Sequence, residues 1–208
     1  MKKPLLIFIS LFLTQFAFGQ NEKSLVLETF ENYKSSILEN RGTALAELVS
    51  ERTLEYYDII IHHAIKSDSV IVDNLPYFDK FTVLFIRHFF PIEETIKMDS
   101  NAFLKYATEN DFFGKESIID LKIDDVKLQG SFAQGIMIRD GKQLPISYHF
   151  YKEDETWKID LVSLTKMTTG YIIDFINSSD YTVNSFILTA LSRHNGKEPK
   201  PTIWQPIN

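Results

Sequence analysis

The chain has 208 residues, no cysteine and a formal charge of −6. Lacking thiols, it holds no Cys nucleophile, thiolate zinc site or iron–sulfur cluster, and its acidic balance opposes nucleic-acid binding, which needs a basic face. Apolar residues make up 44% and charged residues 24%, an ordinary globular composition that sets aside disordered and disulfide-stapled classes.

The N-terminus has the parts of a secretory signal peptide. Lys2 and Lys3 form a positive start, Leu5 to Leu13 is apolar apart from Ser10, and Ala17-Phe18-Gly19 supplies small residues for cleavage before Gln20. The apolar stretch is shorter than the roughly 20 residues that span a bilayer. The expected protein is therefore exported, periplasmic or secreted, with no transmembrane helix in the mature chain. A lipid anchor at the cut would need a cysteine. Losing residues 1–19 removes two lysines and no acid, so the charge becomes −8.

The sequence then reads as one α+β domain over 20–192, with helices in 23–109, strands in 118–164 and helices in 167–192, followed by a Pro-rich tail over 193–208. Val26, Phe30, Tyr33 and Ile37 recur at helical spacing, and Asn40-Arg41-Gly42 stops that helix. Leu45, Leu48 and Val49 mark a second helix. A third begins near Ser50 and buries Leu54, Tyr57, Ile61 and Ile65, either separate from the second or continuous with it. Pro76 and Asp79 open a fourth, Phe81 to Phe90, apolar nearly all round and so expected to be central. Asp99 or Ser100 caps a short helix with Phe103, Leu104 and Ala107, and Asn110 to Gly114 turns the chain.

From Ile119 the period changes to two. Ile119, Leu121 and Ile123 alternate with polar residues, and Val126 and Leu128 continue in the opposite phase, which predicts a bulge near Asp124-Asp125. Phe132, Ile136 and Ile138 are expected to form the apolar face of the second strand. Leu144, Ile146, Tyr148 and Phe150 would form that of the third, and Trp157, Ile159 and Leu161 that of the fourth. Four such strands predict an antiparallel meander with one buried face. A two-residue turn at Asp154-Glu155 sets Phe150 opposite Ile159 and Tyr148 opposite Leu161, so apolar sets meet. Between strands two and three, matching the apolar sets instead asks for a three-residue turn, Arg139-Asp140-Gly141, with Ile136 opposite Leu144. Tyr171, Ile172, Phe175 and Ile176 lie on a helix ending at Asn177, and Tyr181 to Leu191 is another. The last residues read as extended, with Ile203, Trp204 and Ile207 as anchors to the domain or to a partner.

Helices followed by a bent meander, and the run from Ile146 to Leu161 with its polar turn and Trp157-Lys158-Ile159-Asp160, resemble the nuclear transport factor 2-like superfamily over roughly residues 20–165. The resemblance implies a cone-shaped α+β fold. It also implies a carboxylate or histidine inside the cone where such a protein is an isomerase or hydrolase.

Candidate functional residues fall into three sets. His149 sits opposite Asp160 in the expected register, an acid–base pair by chemistry, yet both point away from the apolar face, which reads as a solvent-side pair. Phe81, Leu84, Phe85, Phe103, Tyr106, Tyr148, Phe150 and Trp157 either line a pocket for an apolar ligand or fill a core. Trp204 is the candidate for a protein partner. His62 and His63 are adjacent on a helix and do not chelate together, and Asp58 with His62 makes too few ligands, so neither a metal nor another cofactor is expected. The leading expectation is a non-enzymatic envelope protein that binds a hydrophobic small molecule, a lipid or a protein partner. The alternatives are a small cofactor-independent isomerase or hydrolase of the same fold, and an interaction module or inhibitor.

Overall fold

Helix α1 (Pro4–Leu38) is long because nothing in its second half breaks it, and it ends where Asn40 takes a positive φ of 58°. These elements belong to a computed structural model that describes residues 4–207, with side chains from Gly19 onward. The leader expected over 1–19 lies almost wholly outside the described side chains. Short helix α2 (Gly42–Ala46) follows, then α3 (Glu51–Lys66), α4 (Ser69–Asp73), α5 (Tyr77–Phe89), α6 (Ile92–Thr95), α7 (Ser100–Glu109) and α8 (Lys115–Ile118). Strands β1 (Lys122–Gln129), β2 (Phe132–Arg139), β3 (Lys142–Glu153) and β4 (Thr156–Asp160) form one antiparallel sheet in the order β1-β2-β3-β4. Helices α9 (Leu161–Asn177) and α10 (Val183–Asn195) and a 3-10 turn at Pro201–Trp204 complete the chain. The fold is thus α+β with a four-stranded meander. The chain forms two compact units, one of residues up to Ser50 with Lys105–Leu161, the other of Glu51–Leu104 with the residues from Val162 on.

In the first unit α1 packs on the meander. Val26, Phe30, Tyr33 and Ile37 are all buried, as their spacing requires. Phe30 and Tyr33 reach the Tyr148 ring at centroid distances of 5.2 and 5.8 Å. Beside them Trp157 Nε1 donates to Glu22 Oε2 at 2.9 Å, and Lys152 Nζ donates to Glu22 Oε1 at 3.2 Å, so the buried carboxylate is satisfied on both oxygens. Burial pushes the Tyr148 phenol up to about 12. The free side of β4 is covered: Ile159 N–H donates to Leu48 O and Ser50 N–H to Ile159 O, both at 2.8 Å, with Val49 in a parallel bridge to Ile159. An open sheet edge invites pairing with another chain, and this short segment closes it.

The register agrees with expectation at one hairpin and departs at the next. Phe150 pairs with Ile159, His149 with Asp160 and Tyr151 with Lys158, around a turn in which Asp154 and Glu155 both have positive φ. The pairing stops there, because Leu161 opens α9 instead of extending β4. The bulge in β1 lies between Ile123 and Asp125, where the phase change in the sequence put it. The β2–β3 turn is a correction. Arg139 pairs with Lys142 and Ile138 with Gln143, a two-residue turn at Asp140-Gly141, and Ile136 then pairs with Ser147. The register is reset within the strand, across the stretch holding Pro145, which lacks an N–H for the ladder.

The inner face of β2 is a second correction. Ala133, Gly135 and Met137 are buried, while Phe132, Ile136 and Ile138 lie on the other face and are half-buried. Gly135 must stay small: a Cβ there would stand 2.6 Å from Ile123 Cδ1 and 3.2 Å from Phe150 Cε2. Long neighbours fill the space, so the core-facing residues of this strand are the least conspicuous ones. Gly42 is more constrained still, since its Cβ would meet the Lys105 carbonyl oxygen at 2.4 Å.

In the second unit α3 turns Thr53, Tyr57, Ile60, Ile61 and Ala64 inward, a stripe rotated from the expected one, which leaves Leu54 and Ile65 half-buried. Helix α3 is separate from α2. Helix α5 buries Tyr77, Lys80, Thr82, Val83, Leu84, Phe85 and Ile86 and is the central element its composition implied. Pro91 ends it: Phe90 before the proline is extended, at φ −97° and ψ 140°. Asp99 Oδ1 accepts from Ala102 N–H at 2.8 Å and so caps α7. Buried Lys80 is held by Asp73 Oδ1 at 3.2 Å and Asn184 Oδ1 at 3.1 Å. Hydrogen bonds from Asn184 and Lys80 keep the Asp73 carboxyl below the usual range.

Candidate functional site

The C-terminal segment is the largest departure from the expected extended tail. Helix α10 runs on to Asn195 and stops at Gly196, whose φ of 71° is the left-handed cap that glycine takes readily. Lys197 N–H donates to Asn195 Oδ1 at 2.9 Å, and Ser192 Oγ donates to Glu198 Oε1 at 2.9 Å, turning the chain back. The prolines then favour a short 3-10 turn, which buries Ile203 to 5% exposure. Ile207 N–H donates to Ile65 O at 3.0 Å.

One side chain ties this segment down. Arg87, in the last turn of α5, reaches four backbone carbonyls: Ala64 from Nε at 2.8 Å, Ile203 from Nη1 at 3.1 Å, and His63 and Ser67 from Nη2 at 3.1 and 2.5 Å. Two of these carbonyls, His63 and Ala64, lie in the last turns of α3, whose dipole favours a cation, and His63 O also accepts from Ser67 N–H at 3.0 Å. Burial lowers the guanidinium to about 10, so it stays charged at neutral pH.

Between the end of α5 and this segment runs a groove of about 770 Å³. Its apolar walls include Phe89, Phe90, Ile92, Ile203 and Ile207, and Lys197 and Lys200 stand on its rim. Glu198 also lines it but is engaged by Ser192. His88 Nε2 lies 3.4 Å from Asn195 Oδ1, and the Phe89 ring meets His194 edge-on at 5.1 Å. The volume is in the range of small-molecule sites, and apolar walls with a few convergent polar groups are their usual make-up.

None of the eight aromatic and aliphatic residues expected at a pocket lines this groove. Leu84, Phe85 and Phe103 are buried in the second unit, and Tyr148, Phe150 and Trp157 are buried in the first. Phe81, in the second unit, and Tyr106, in the first, are half-buried. Trp204 is half-buried in the 3-10 turn. Asp58 Oδ1 accepts from Ser100 N–H at 2.8 Å, and His63 Nδ1 lies 2.8 Å from Ser67 Oγ, which places both in local structure.

The His149 and Asp160 pair needs a correction of surroundings. The register is as expected, but Asp160 is 0% exposed and His149 half-buried, with the Phe132 ring edge-on at 5.1 Å. Asp160 sits at the strand-to-helix corner beside the covering segment of residues 48–50, so an outward position is not a solvated one. Strand alternation reports the face of a residue, not what lies over it. The groove itself left two signals in the sequence: an arginine inside an apolar run, and three large apolar residues in a polar tail.

No family model, curated protein or solved structure matches the chain.

Proposed function

We propose that this is an exported, non-enzymatic binding protein of nuclear-transport-factor-2-like type, whose ligand is an amphiphile with an apolar body and an anionic head, such as a fatty acid. One observation carries the reading: a groove with apolar walls and lysines at its rim, on a chain whose overall charge is −6. The apolar walls suit an acyl chain, and Lys197 and Lys200 suit a carboxylate or phosphate. The family likeness draws on α1 packed against a four-stranded meander that closes with Trp157-Lys158-Ile159-Asp160. Among the described residues no helix is long and apolar enough to cross a membrane.

The purified protein is expected to bind palmitate with one-to-one stoichiometry in calorimetry and to gain thermal stability from it. Lys197→Glu/Lys200→Glu is expected to weaken binding about tenfold, the equivalent of about 1.4 kcal/mol. Absence of heat and of thermal shift across fatty acids and phospholipids refutes the ligand class. Export has its own test. Intact mass of the protein recovered from the cell envelope should correspond to a chain starting at Gln20, and a retained Met1 start refutes cleavage.

A second reading, a cofactor-independent isomerase or hydrolase, draws on the full burial of Asp160 opposite His149. Its sign would be a turnover that both His149→Ala and Asp160→Asn abolish while the fold is retained.

A further inference from the structure

Helix α9 carries an exposed face that no described residue covers. Of its 17 residues only Leu161, Val162, Ser163 and Ile176 are buried, while Tyr171 is 54% and Phe175 56% exposed. Its two charges, Lys166 and Asp174, lie on this exposed face, and among the described residues neither has an ion-pair partner. Midway between them is Gly170. Glycine weakens a helix interior, and here no described neighbour requires it, since a Cβ would meet none of their atoms within 4 Å.

We propose that this face pairs with a second copy of the chain, helix α9 against helix α9 in antiparallel fashion about a two-fold axis at Gly170-Tyr171. The residue pattern is what such an axis requires. Lys166 lies four residues before Gly170 and Asp174 four after it, so antiparallel pairing brings Lys166 of each copy beside Asp174 of the other, twice. The same axis seats the Tyr171 ring of each copy over Gly170 of the other, where the missing side chain lets the backbones approach. Met167 and Phe175 flank that contact. An isologous interface must be self-complementary in charge and shape, and a face bearing one cation and one anion at equal distances from a glycine meets that condition. The apolar surface continues onto α10, where the Phe186 ring lies 5.7 Å from both Phe175 and Tyr181.

Sedimentation velocity on the purified protein tests the pairing. A monomer–dimer equilibrium in the micromolar range is expected, weakening as salt rises. Lys166→Asp or Asp174→Lys alone places like charges across the axis and should raise the dissociation constant at least tenfold. Lys166→Asp/Asp174→Lys together restores opposite charges and should recover most of the dimer, which also shows that the single variants did not merely misfold. Gly170→Leu should abolish dimerisation while leaving the circular dichroism of the monomer unchanged. A protein that stays monomeric at every concentration, or single reversals that leave the dimer untouched, or a double variant no tighter than the singles, overturns the proposal.

Discussion

Arg87→Met is expected to lower stability by about 3–5 kcal/mol and to release the C-terminal segment. The guanidinium serves four carbonyls that no other side chain among the described residues reaches. Methionine matches much of the stem and donates nothing, so four part-buried acceptors lose the guanidinium at once, although His63 O keeps its bond from Ser67 N–H at 3.0 Å. A buried acceptor left unpaired costs about 1–3 kcal/mol, and water will reach some of the four, which sets the total below the simple sum. Arg87→Lys should fall between, because a point-like ammonium does not span the fork. Urea denaturation measures the loss. Hydrogen exchange locates it: the amides of Ile203 and Ile207, which donate to Lys200 O and Ile65 O, should lose protection first. A loss under about 1 kcal/mol would mean that solvent replaces the guanidinium and that it does not tie the segment.

Phe150→Ala is expected to cost about 3–5 kcal/mol. The side chain is fully buried, and its ring lies within van der Waals reach of where a Cβ on Gly135 would be. The result decides between a filled and a hollow meander. In a hollow one, truncation enlarges a space already present and is cheap. In a filled one, it opens a dry cavity whose lining loses its contacts. Benzene should then stabilise Phe150→Ala and leave the parent unaffected, since apolar cavities of this kind stay dry and take up small apolar molecules. The palmitate response should survive in this variant, because Phe150 and the groove belong to different units.

The sequence was most legible where pattern and backbone constraint coincide. The β3–β4 pairing follows from two apolar alternations and a short polar turn, and α1 follows from four residues at spacings of four, three and four. Legibility failed where small residues face the core. Ala133 and Gly135 look like gaps in an apolar pattern, so Phe132, Ile136 and Ile138 drew the inner face to the wrong side of β2. It failed again at the β2–β3 turn, because matching apolar sets assumes an unbroken ladder, and this ladder is reset near Pro145. The short helices α4, α6 and α8 have no stripe long enough to read. The groove was out of reach for a different reason. Its two walls lie roughly a hundred residues apart in the chain, and they meet through contacts that no local pattern announces, among them the Arg87 bonds to Ile203 and to the end of α3 and the Phe89–His194 ring contact. Apolar residues announce burial, but not which of them pack together and which are left to line a space.

The two units also bear on the order in which the chain can become a protein. Each is made of two stretches, and the stretches interleave: the first unit opens and then waits more than fifty residues for Lys105, and the second is interrupted from Lys105 to Leu161. The contacts that close them are correspondingly remote, with Trp157 donating to Glu22 across 135 positions and Arg87 to Ile203 across 116. The first core has all its residues once Leu161 is made, whereas the second also needs the stretch from Val162 on. Such topology slows folding, since loop closure must precede the contacts that reward it. The second unit therefore closes later than the first, with the segment holding Ile203 and Ile207 as its latch.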